Sequence, residues 1–233
     1  MHSGNRGYSF DECAPDYRAL LDSNVAITGE SGDYFARVKA RYVAAVLGSN
    51  FAGSLLDFGC GIGLLSRALK NQFPAALRDG FDISSESIAL IDPEVASSGR
   101  FTSDQNDLRS EYSAIVVANV LHHVPVVERA SLIKSISARL SANGRLFIFE
   151  HNPSNPLTRR AVDRCEFDAD AVLLNPGETL GYCSDARLCG LQRDYIVFFP
   201  RLLSALRPLE RHLTWCPLGA QYVVVGKRQV SSL

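Results

Sequence analysis

The sequence predicts an α/β fold, a doubly wound and mostly parallel sheet of seven strands with helices on both faces. Three observations carry this. Short apolar runs alternate with segments of 3.6-residue periodicity, which is the signature of strand–helix–strand units and a parallel sheet. One of these runs leads directly into three glycines at alternate positions, Gly59, Gly61 and Gly63. Two further strand-like segments, 193–199 and 221–227, close the chain after the alternation has ended.

The first strand is 54–59, and 64–73 follows as a helix packed on the sheet, stopped by Pro74. A second strand over 77–82 ends in an acid, Asp82. Ser84 is a helix N-cap for a segment running through Ile91, with Pro93 beyond. A weak third strand covers 100–104. Residues 113–119 are apolar on both faces, as a central parallel strand requires. An amphipathic helix spans 125–140 and is closed by the turn signal Asn143–Gly144, after which 145–150 forms the fifth strand. The run Asn152–Pro153–Ser154–Asn155–Pro156 breaks the rhythm. Helical segments are expected at 157–168 and 177–189, and 201–213 reads as helical despite Pro208.

The chain reads as a single domain in four parts: an N-terminal helical cover (1–50), a core (51–151), an inserted segment (152–190) that is placed to act as a substrate lid, and terminal strands (191–233). The 233 residues are 46% hydrophobic and 21% charged, enough to bury a full core. A net charge of −1 provides no basic footprint for nucleic acid. No apolar run reaches the roughly 18 residues a bilayer span needs, and the N-terminus is polar rather than signal-like, so a cytoplasmic protein is expected. Six cysteines are scattered without C-x-x-C or zinc-finger spacing, which favours reduced thiols and no metal site.

Three glycines in five residues cost stability in regular structure, by roughly 0.5–1 kcal/mol each, so they imply close approach of a ligand to bare backbone. In an open parallel sheet that ligand lies beyond the carboxyl ends of the strands, at the first strand-to-helix loop. A dinucleotide site asks for G-x-G-x-x-G, and here Leu64 stands where the third glycine would be. The spacing is G-x-G-x-G, preceded by Asp57.

With that loop, Gly80–Phe81–Asp82–Ile83–Ser84 and Asn119–Val120–Leu121–His122–His123–Val124, the chain resembles the class I S-adenosylmethionine-dependent methyltransferases over residues 40 to 150. It looks closest to the small-molecule, ubiquinone-biosynthesis-type subgroup. Ser113 departs from an aspartate that relatives often carry there. The resemblance implies a last strand running antiparallel and S-adenosylmethionine as cofactor. It also implies a small-molecule acceptor methylated at oxygen or nitrogen. Gly59, Gly61 and Gly63 would let the cofactor's methionine part approach the backbone, with Cys60 a small filler of the same loop. Asp57 would orient the methionine amine, Asp82 would bind the ribose hydroxyls and Ile83 would pack on the adenine. Asp104, with Gln105 or Asn106, would receive the adenine amine, and Asn119 opens the segment after the fourth strand.

Methyl transfer is an in-line displacement, so a base is needed only if the acceptor must lose a proton. His123 and His151 stand at strand ends facing the site and are the candidates, with His151 preferred. Structural packing is the alternative for both, and Glu150 reads as a strand end. Tyr17, Tyr34, Phe35 and Lys39 are candidates for a cover over the cofactor. Phe198, Phe199, Arg207 and Arg211 would form a basic, apolar surface for a lipid-like acceptor, the alternative being a packed helix with solvated arginines. Two other function classes remain: a nicotinamide-dependent oxidoreductase, disfavoured by the displaced glycine, and a non-catalytic binding or scaffold protein that keeps the fold.

Overall fold

The computed structural model describes residues 29–165, 168 and 170–229; Cys13, Tyr17 and the rest of the cover before residue 29 lie outside them. Seven strands form one sheet in the order β3-β2-β1-β4-β5-β7-β6. They are β1 (Ser54–Phe58), β2 (Leu77–Phe81), β3 (Arg100–Thr102), β4 (Tyr112–Ala118), β5 (Leu140–His151), β6 (Leu188–Ile196) and β7 (Gln221–Arg228). The first five pair in parallel, while β7 is antiparallel to both β5 and β6. Helices α1 (Gly32–Leu47), α2 (Leu64–Gln72), α3 (Ser85–Ala89), α4 (Pro93–Ala96), α5 (Val126–Ala138), α6 (Pro156–Val162) and α7 (Pro176–Asp185) surround it.

Successive strand residues point to opposite faces, so the apolar central strands feed two cores at once. Leu56, Ile115, Val117, Leu146 and Ile148 pack with Ile133 and Ile136 of α5 and Cys183 of α7. Leu55, Ala114, Val116, Phe147 and Phe149 pack on the other face with Ala40 and Val43 of α1 and Leu69 of α2.

Several boundaries differ from the sequence expectation. The Asn143–Gly144 signal does not separate α5 from β5; it lies inside β5, where Tyr112 pairs with Leu140 and Ala114 with Arg145 across an irregularity. Asn143 takes the left-handed conformation that this bend needs (φ 64°). Pro93 does not merely follow a helix: it begins α4, capped by the Asp92 carboxylate on Glu94 N–H at 2.9 Å. The helix expected over 157–168 ends at Val162, and β6 begins five residues before the expected 193. Residues Arg201–His212 form 3₁₀ turns, not a packed α-helix, and none of them is buried. Five described cysteines, Cys60, Cys165, Cys183, Cys189 and Cys216, are free thiols.

Candidate functional site

Strand order reverses between β1 and β4, and the loops leaving their carboxyl ends diverge into a crevice. On the β1 side the chain turns through Gly59 (φ 78°), Gly61 (φ 51°) and Gly63 (φ 80°), all left-handed. A Cβ on Gly59 would stand 2.3 Å from Val120 Cγ2, so the loop from β1 and the turn after β4 touch there. Gly63 is the N-cap of α2 and faces Ile91 rather than the crevice. Cys60 is buried against Ile91 and Val95, and burial pushes its thiol well above the usual range.

The loop is held by Asp82. Its Oδ2 accepts Gly61 N–H at 2.7 Å and its Oδ1 accepts Ser84 N–H at 3.0 Å. A carboxylate has about four acceptor positions, so this leaves it capacity for hydroxyls in the crevice. Asp57 is buried, accepts Ser66 Oγ–H at 2.6 Å, and has its other oxygen buried without a hydrogen-bond partner. Burial, aided by the Asp82 charge, raises its pKa to about 7 against the opposing effects of Ser66 and Lys39. Lys39 of α1 is buried too, and desolvation lowers its pKa to about 8 while Glu150 and Asp57 hold it up.

Beyond the loop lies a cavity of about 1030 Å³. Among the sequence candidates, Asp57, Gly59, Cys60, Gly61, Asp82, Ile83, Gln105, Asn119, His123 and His151 line it. Tyr34, Phe35 and Lys39 of the expected cover line it as well, as do Leu157, Thr158 and Val162 of the inserted segment. Asp104 is not among the lining residues: its Oδ1 caps a 3₁₀ turn by accepting Asn106 N–H at 2.8 Å. Asn119 has left-handed backbone (φ 58°), and its Oδ1 is buried without a hydrogen-bond partner. Arg207 is half-buried and partnered: it donates to Glu30 at 2.6 Å and stacks over the Tyr34 ring at 4.2 Å.

Opposite the glycine loop stands a cluster that sequence spacing did not reveal. Glu150 Oε1 accepts Val120 N–H (3.1 Å) and Leu121 N–H (2.7 Å), fixing the turn after β4. Its Oε2 holds His122 Nδ1 at 2.5 Å. Glu150 thus does more than end a strand, and His122, not either histidine favoured from sequence, is the buried hub. Its ring lies 4.1 Å from that of His123 and 5.1 Å from that of His151. Asp168 Oδ1 lies 3.4 Å from His122 Nε2 and 3.5 Å from His123 Nε2.

Burial opposes charge on His122, but Glu150 and Asp168 outweigh it and shift the pKa upward. Burial and the His122 charge lower His123 and His151 to about 4, so both are neutral imidazoles at pH 7. Asp168 is brought there by its own segment. Val172 N–H donates to the His122 carbonyl at 2.9 Å, and the buried Arg129 of α5 donates to the Val172 carbonyl at 2.7 Å.

The family model described as a methyltransferase domain matches residues 32–182 of the chain. Solved structures share the fold at low identity. One is a SAM-dependent methyltransferase from Archaeoglobus fulgidus (12% identity, 85% of this chain and 95% of that one, TM-score 0.64). Another is magnesium protoporphyrin IX methyltransferase from Synechocystis PCC 6803 with bound SAH (16%, 94% and 96%, TM-score 0.67). A third is phosphoethanolamine N-methyltransferase 2 from Haemonchus contortus in complex with S-adenosyl-L-methionine (12%, 97% and 61%, TM-score 0.63). No curated protein matches the chain.

Proposed function

The chain belongs to the methyltransferase-domain family, and from that premise we propose that it transfers the methyl group of S-adenosylmethionine to an oxygen or nitrogen of a small-molecule acceptor. The ubiquinone-type subgroup anticipated from sequence has no support among the comparisons. The observation that carries the reading is one continuous cavity running from the glycine loop to the histidine cluster. At about 1030 Å³ it reaches the upper end of the roughly 300–1,000 Å³ usual for a single ligand site, which leaves room for cofactor and acceptor together.

The residues present fit the cofactor. The Asp57 Oδ1, buried without a hydrogen-bond partner, would accept from the methionine ammonium, and the Asp82 carboxylate, held by Gly61 and Ser84, would accept from the ribose hydroxyls. Ile83, a largely exposed apolar side chain on the cavity rim, would pack on the adenine, with Gln105 beside it. When bound, the cofactor supplies an electrophilic methyl group; the protein's part is to aim the acceptor at it and keep water out. His151, which ends β5 on the cavity wall, would take the proton from the acceptor. The segment 153–177, with Leu157, Thr158 and Val162 on the same wall, would cover the acceptor as a lid.

Calorimetric titration tests this. S-adenosylhomocysteine should bind one equivalent per chain and NAD should not. Preferential NAD binding would restore the oxidoreductase reading. Saturable cofactor binding without turnover of any phenol, carboxylate or amine acceptor would favour the non-catalytic one.

A further inference from the structure

We propose that His122, His123 and Asp168 form a binding site for one divalent transition-metal ion, with an open coordination position toward the acceptor end of the cavity. The inference rests on the methyltransferase reading for the use of the ion, but not for its binding.

Asp168 pairs with both imidazoles, and the same geometry serves as a ligand set. One ligand atom from each of the three residues lies within 4.8 Å of the others. The two imidazole-to-carboxylate separations are 3.4 and 3.5 Å, longer than the about 2.7–2.9 Å of a tight charge-assisted hydrogen bond. They match the edge of a tetrahedron built from metal–ligand distances of about 2.0–2.1 Å, which is about 3.4 Å. Two imidazoles and one carboxylate suit zinc or ferrous iron and leave positions for a further oxygen ligand.

The surroundings are those of a built site. His122 Nδ1 is engaged by Glu150 at 2.5 Å, the carboxylate–histidine arrangement that fixes the tautomer and aims Nε2 at a metal. Glu150 is itself locked by two backbone N–H groups. Asp168 is delivered by a segment anchored at Val172 to both His122 and Arg129. All three proposed ligands line the cavity, which gives an ion a path in.

Bound there, the ion would take the oxygen of a hydroxyl-bearing acceptor. The O–H proton leaves to His151 or to water, the oxygen forms the new bond to the methyl carbon, and the carbon–sulfur bond breaks to release the uncharged thioether. The acceptor class is then oxygen rather than nitrogen.

The full-length chain, stripped with chelator, is titrated with Zn²⁺ against a chromophoric competitor and separately with Co²⁺, read by its ligand-field spectrum. One equivalent should bind in a tetrahedral or five-coordinate environment. Asp168→Asn and His123→Gln should each weaken it at least about tenfold, and Glu150→Gln by roughly 10- to 100-fold through loss of the His122 brace. S-adenosylhomocysteine is titrated in the same samples. No saturable metal binding by a chain that still binds S-adenosylhomocysteine overturns the metal site and leaves the methyltransferase reading standing. Metal binding without S-adenosylhomocysteine binding does the reverse. Stoichiometric binding indifferent to all three substitutions would place the ion elsewhere and overturn the site.

Discussion

Glu150 Oε2 lies 2.5 Å from His122 Nδ1 while the other oxygen of the same carboxylate accepts two backbone N–H groups, from Val120 and Leu121. One buried side chain thus joins the end of β5 to the turn after β4, across the crevice that forms the site. Glu150→Ala would leave three buried donors without an acceptor, at about 1–3 kcal/mol for each unsatisfied group. Glu150→Gln keeps an amide oxygen for the backbone pair. Urea unfolding should therefore show Glu150→Ala to be the more destabilised variant by at least about 1 kcal/mol.

Cofactor affinity should depend on pH through Asp57. Its folded pKa of about 7 lies above the ordinary value of 3.8, chiefly because it is buried. In the free protein it is therefore protonated below pH 7, whereas a bound ammonium requires the carboxylate. Affinity for S-adenosylhomocysteine should fall as pH drops from 7.5 to 5.5, by up to about tenfold per unit below 7, and Asp57→Asn should flatten the profile. For stability the sign is opposite. The raised pKa stabilises the free fold fully below about pH 4, and this contribution is lost as pH rises through 7.

Asp82 holds the glycine loop and, on the proposed function, would hold the cofactor as well. Asp82→Ala removes the acceptor of Gly61 N–H along with any bond to the ribose, and a hydrogen bond to a charged group is worth about 1.5–3 kcal/mol. Calorimetry should show affinity reduced by at least about tenfold in a chain whose circular dichroism is unchanged. Asp82→Asn should recover only part, because its amide can accept from Gly61 or from Ser84 but not from both.

Gly59→Ala should destabilise the fold and abolish cofactor binding. The added methyl group meets Val120 Cγ2, and the left-handed backbone costs a non-glycine residue about 1–2 kcal/mol. Adding Val120→Ala relieves the first cost and not the second. Thermal unfolding of the double variant should fall between wild type and Gly59→Ala.

His151→Ala should lower kcat by roughly 10²- to 10⁴-fold if the acceptor loses a proton to it, with S-adenosylhomocysteine affinity little changed. Unchanged turnover would make His151 a wall of the cavity and no more.

Residues whose roles depend on neighbours in sequence were legible from it. The apolar strands, Gly59, Gly61 and Gly63 after β1, and Asp82 at the end of β2 are local patterns, since backbone conformation and strand alternation act over a few residues. The parallel core and its crevice followed from them. Sequence spacing also favoured His123 and His151 and gave His122 no role of its own, because three ring positions look alike until burial and partners are known. Only the tertiary structure set Glu150 of β5 against His122 of the neighbouring turn, and Asp168 against both His122 and His123. It also turned Asp104 to its own cap and Arg207 to Glu30. These are contacts between residues from 28 to 177 positions apart, or choices between a local and a distant partner. No local pattern encodes them; for Asp168, packing of the inserted segment through Arg129 and Val172 sets the position.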